Sequence, residues 1–167
     1  MIPVQVQTLI VTSSPAPSII VLQPIEEVPQ NENFRIVPIW IGVHEATQMG
    51  IALEKARFAR PMTHDLFLDA ITNLDARIEY VNIYDVDEST FFAKLVLHKH
   101  DRVIELDARP SDAIALALRQ EAPIYMEESV LERASFPYVF KKHPDKEKEM
   151  AEFHQFVESL APEDFTG

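Results

Sequence analysis

Two short stretches bring together side chains suited to chemistry: Arg60-Pro61-Met62-Thr63-His64-Asp65 and Asp107-Ala108-Arg109-Pro110-Ser111-Asp112. Helix punctuation accounts for much of both, with Pro ending the preceding segment, Thr63 or Ser111 as N-cap, and Asp65 or Asp112 facing the positive helix end. It does not account for Asp107 at a strand end, for Arg109, or for His64 between cap and acid. The carboxylates of Asp107, Asp112 and Asp65 form a set able to hold a hard divalent cation, Mg or Mn, which prefers oxygen ligands. Such an ion activates water and neutralises charge on a phosphodiester. In that reading His64 is the general acid or base, and Arg109, with Arg60, clamps phosphate oxygens. Lys55, Arg57 and Arg60 make the best basic cluster and the candidate substrate-binding patch. Glu45, in His44-Glu45, reads from its type alone as first-turn helix polarity.

Other chemistries are excluded by what is missing. With three glycines in 167 residues, neither a phosphate loop nor a dinucleotide fingerprint can be written, and no organic cofactor is expected. No Cys is present and no His-Glu-x-x-His occurs, so thiolate nucleophiles and the common zinc patterns are absent. His98 and His100 read as turn residues. The lack of Cys suits a reducing cytosol, and a cytoplasmic location is expected. The formal charge of −12 opposes binding to phosphate backbones unless a cation or a local basic patch intervenes. Met1–Ile25 lacks charged side chains, but Pro3, Pro15, Pro17 and Pro24 break any leader helix. No apolar run approaches the ~20 residues that span a bilayer, so no membrane partner is expected.

The elements that must position these groups follow from periodicity. Val4–Gln7, the β-branched run Ser18–Leu22 and Phe34–Gly42 read as strands, with Ser13-Ser14-Pro15 as a turn. Pro38 within the third predicts an edge position or a bulge. Ala46, Met49, Gly50 and Leu53 share one face of a helix over about 44–55. Leu66, Phe67, Ala70, Ile71 and Leu74 give a second helix. Ala76–Tyr84, Thr90–His98 and Arg102–Ala108 form an antiparallel meander. The helix Asp112–Gln120 is apolar on every side and so must be buried. A short strand at Pro123–Met126 and a short helix at Glu127–Ala134 follow. Pro144 at a first helical position opens the last helix, in which Met150, Phe153, Val157 and Leu160 form one stripe.

Ile39–Glu54 and Ile104–Arg119 match in kind at an offset of 65 positions, with Ile39/Ile104, Ala52/Ala117 and Leu53/Leu118 identical. Strand, helix, Pro and helix thus occur twice, which suggests an internal duplication. The expected architecture is α+β: an antiparallel or mixed sheet with packed helices over residues 1–140, and an acidic helical appendage over 141–167. The last 25 residues hold 7 acids against 2 bases. The apolar stripe of the last helix points to docking on the body or on another subunit, and a homo-oligomer is expected.

Val37-Pro38-Ile39-Trp40-Ile41-Gly42, Glu45-Ala46, Arg60-Pro61-x-Thr63-His64-Asp65-Leu66, the run Asp107–Arg119 and Pro123-Ile124-Tyr125 together resemble the bifunctional nuclease family. The resemblance covers nearly all of residues 1–135, and the tail Ser159–Phe165 also resembles those of bacterial members. One departure is Leu74-Asp75-Ala76, where members commonly carry a turn glycine. The resemblance implies an α+β domain and an activity on RNA and DNA. It marks Glu45, His64, Asp65, Asp107, Arg109 and Asp112 as motif positions. The alternative class is a non-catalytic, oligomeric module that binds a ligand or protein and regulates it; the net charge favours that alternative.

Overall fold

The computed structural model of the chain describes residues 1–13, 15–26, 33–140 and 145–165. Eight strands form one mixed sheet. β1 (Ile2–Ile10), β2 (Ser18–Pro24) and β3 (Phe34–Ile41) make one antiparallel meander. β4 (Arg77–Asp87), β5 (Thr90–Lys99) and β6 (Arg102–Ala108) make the other. Both run outward from the middle, where β7 (Ile124–Met126) lies parallel to β4 and antiparallel to β1. β8 (Phe136–Tyr138), absent from the sequence reading, pairs with Phe34–Ile36 alone. Pro38 therefore pairs with Val21 on one side and lies past the end of β8 on the other, the edge position its missing N–H requires.

The faces are set by alternation. In β2, Ile20 and Leu22 pack into the larger core with α1 (Val43–Leu53), α2 (Thr63–Asn73), α3 (Pro110–Gln120) and α4 (Glu128–Ala134). Ile19 and Val21 point the other way, into a smaller core with Phe153 and Val157 of α5 (Lys146–Glu158). The continuous apolar run of β2 thus reflects burial on both faces. Phe153 is fully buried, so the last helix docks on the body, while Met150 of the same stripe stays partly exposed. Among the described residues no helix is long and apolar enough to cross a membrane.

Three helix starts differ from the sequence reading. Met62, not Thr63, is the N-cap of α2, and its N–H donates to Asp65 Oδ2 at 3.0 Å. Arg109, not Ser111, is the N-cap of α3, because Pro110, with its fixed φ, takes the first helical position. α5 starts at Lys146, capped by Asp145, whose carboxylate accepts from Glu147 N. The boundary 141–144, including Pro144, and Ser14 of the first turn lie outside the described residues. Asp75 takes φ 59°, the left-handed conformation that a turn glycine would supply, so the turn persists without the glycine. The repeated segments occupy corresponding places: β3 leads into α1, β6 leads into α3, and these two helices pack together.

Candidate active site

The packing of α1 on α3 brings their starts together, and Arg109 joins them. Its Nη1 donates to Glu45 Oε1 at 2.9 Å. Its Nε and Nη2 donate to Asp112 Oδ2 and Oδ1 at 2.8 and 3.2 Å. Both carboxylates raise the Arg109 pKa, Asp112 first. A guanidinium has five N–H donors and three are engaged, so two remain for an incoming anion. The group is fixed by two carboxylates yet 65% exposed.

His64 enters from α2. Its Nε2 lies 3.7 Å from Asp112 Oδ1, a charge contact too long for a hydrogen bond. Its Nδ1 is buried with no hydrogen-bond partner. The imidazole pKa is lowered from 6.5 by burial and then by the nearby Arg119 charge, against the opposing pull of Asp112 and Asp65. A neutral imidazole at pH 7 follows. His64, Asp107, Arg109 and Asp112 border one cleft of about 470 Å³ with apolar walls that include Phe67, Leu95 and Leu116.

Beneath His64 lies Arg119, which the sequence reading passed over inside an apolar helix. Only 7% exposed, it donates to Asp65 Oδ1 at 3.1 Å, Gln48 Oε1 at 3.0 Å and Ala115 O at 2.9 Å. The available clue was spacing: Arg119 follows Asp112 by seven residues, two turns along the same helix face. Lys55 pairs with Glu121 at 2.6 Å, and Lys55 and Arg57 border a separate cleft beyond Asp65 and Arg119. Arg60 is exposed and borders neither cleft. The site thus gathers His64, Asp112, Arg109 and Glu45, and leaves the basic loop apart.

A bifunctional nuclease domain matches residues 28–138, two thirds of the sequence and all elements from β3 to β8. The chain belongs to the bifunctional nuclease domain family. Over 148 residues it is 37% identical to Uncharacterized protein MT1877 of Mycobacterium tuberculosis (strain CDC 1551 / Oshkosh), covering 86% of this chain and 88% of that one. The same figures hold for Uncharacterized protein Rv1829 of strain ATCC 25618 / H37Rv.

In this bifunctional nuclease domain the three carboxylates expected to hold a cation do not assemble. Asp65 gives one oxygen to Arg119 and the other to Met62 N. Both Asp112 oxygens accept from Arg109. Asp107 borders the cleft at the strand end, but it is exposed, opposite Lys94 in the β5–β6 register, and strand alternation turns its side chain away from the face of Leu106 and Ala108. Among the described residues no three His, Cys, Asp or Glu side chains are placed to hold a metal ion. The donor set does not fit a resident divalent cation. Arg109 and Arg119 supply the positive charge beside these acids instead.

Proposed function

We propose that this domain cleaves phosphodiester bonds of RNA or DNA, with His64, Asp112 and Arg109 as the working groups. The observation that carries this reading is their convergence on one cleft, with a neutral imidazole 3.7 Å from a carboxylate and a fixed guanidinium with donors to spare. His64 Nε2 takes the proton of the attacking oxygen, a 2′-hydroxyl in RNA or a water in DNA. That oxygen bonds to phosphorus, the bond to the leaving oxygen breaks, and the leaving oxygen takes a proton from water or from the imidazolium. Asp112 stabilises the imidazolium as it forms, and the two free N–H groups of Arg109 hold the non-bridging phosphate oxygens.

The test is the purified protein with labelled single-stranded RNA and DNA, each with Mg, Mn or EDTA. The proposal expects cleavage in all three conditions, because no step runs through a cation, and a large loss in Asp112→Asn with the fold intact. Cleavage abolished by EDTA, or unchanged in Asp112→Asn, counts against it.

A further inference from the structure

Phe165, at the end of the described residues, sits in an aromatic slot beside the site. After the short turn Pro162–Asp164, closed by Asp164 Oδ2 accepting from Ala161 N at 2.7 Å, Phe165 inserts its ring among three others. Its centroid lies 5.6 Å from Trp40, 5.7 Å from Phe91 and 5.5 Å from Phe136. Trp40 and Phe91 also line a third cleft, of about 290 Å³, together with Glu45, Arg109 and Ser111. Trp40 and Phe91 are thus shared between the slot that holds Phe165 and the cleft that Arg109 lines. On its outer side the tail is poorly matched: Glu163 borders the same surface pocket as Asp87 and Glu88. Like charges on one surface oppose that docking, while the Phe165 ring packs against three aromatic partners.

We propose that Phe165 is a removable plug in a base-binding subsite, and that the slot accepts a pyrimidine when the tail lifts. A pyrimidine has the six-membered planar ring the slot already holds, and aromatic faces bind bases by stacking. The nucleotide's phosphate reaches Arg109 across the cleft. The subsite rests on the phosphodiesterase reading for its purpose, but its binding is measurable without any cleavage.

Trp40 is the sole tryptophan, so its fluorescence reports the slot directly. Uridine 5′-monophosphate, which has no phosphodiester bond, is titrated into the full-length protein and two variants. Phe165→Ala removes the plug and is expected to bind about tenfold tighter, which would mean the plug is out in about one molecule in ten of the parent protein. Glu163→Lys turns repulsion from Asp87 and Glu88 into attraction and is expected to bind several-fold weaker than the parent. Adenosine 5′-monophosphate is expected to bind more weakly than the uridine nucleotide throughout. Equal affinity in the parent and a folded Phe165→Ala overturns the plug. Should Phe165→Ala not fold, Glu163→Lys decides alone, and affinity equal to or above the parent's overturns it. A variant set that follows the expected order while no RNA or DNA is cut would retain the subsite and reject the nuclease.

Discussion

The imidazole of His64 faces the carboxylate of Asp112 at 3.7 Å, from the first turn of one helix to the first turn of another. Asp112 also faces the positive end of its own helix, whereas nothing in its own helix accounts for His64. Asp112 spends both oxygens on Arg109, and His64 keeps one ring nitrogen buried without a partner, at a cost of about 1–3 kcal/mol. A fold that tolerates that cost holds the ring in the cleft.

The protonation of His64 gives the first prediction. Its pKa is lowered below 6.5, chiefly by burial, so the acid limb of the pH–rate profile should fall below that value. Arg119 depresses the pKa and Asp112 raises it. Arg119→Gln should therefore move the limb upward and Asp112→Asn downward, both readable by NMR titration of the His64 ring. The stability effect has a fixed sign as well. The unfolded chain binds the proton at 6.5 and the folded chain only below it, so stability is intact above 6.5 and declines as pH falls from there towards the folded value.

Gly42→Ala separates the site from the scaffold. Gly42 has extended φ and ψ that any residue adopts, but a Cβ there would collide with Glu45 Oε2. The Glu45 carboxylate must shift, which disturbs its hydrogen bond with Arg109. Stability should stay within about 0.5 kcal/mol, while kcat/KM falls by about tenfold or more because the guanidinium is less well placed. Thermal melting and steady-state kinetics check the two halves.

Arg119→Leu tests the buried support. It strands Gln48 and Asp65, whose other hydrogen bond goes to Met62 N, and should cost about 1–3 kcal/mol in urea unfolding. Arg119→Lys should recover only part of that, since one ammonium lacks the planar fork that reaches both partners.

Phe153→Ala probes the docking of α5. The ring is fully buried against Ile10, Ile19, Val21 and Ile36. Its removal should cost about 3–5 kcal/mol, measured by the urea midpoint.

The sequence carried the site's membership better than its wiring. His64, Asp107 and Arg109 stood out because helix capping left them unexplained, and they border one cleft together with Asp112, which capping had accounted for. Glu45 read as first-turn polarity because its partner Arg109 is 64 positions away, and only the packing of α1 on α3 joins them. Arg119 was hidden by the apolar residues around it, and it, rather than a cation, claims Asp65. The hydroxyl rule for N-caps misplaced two helix starts by one or two residues, since Pro110 and the Met62–Asp65 contact decide them instead. The two meanders and the short strand β7 were legible in the sequence, whereas the three-residue β8 is fixed by its pairing with Phe34–Ile36, which local pattern does not encode.

The most direct measurement is the cleavage of labelled single-stranded RNA by His64→Gln against the parent protein, with both shown folded by circular dichroism. A general base contributes about 10²–10⁴-fold, and the account predicts a loss of that size. An unchanged rate in His64→Gln would contradict it.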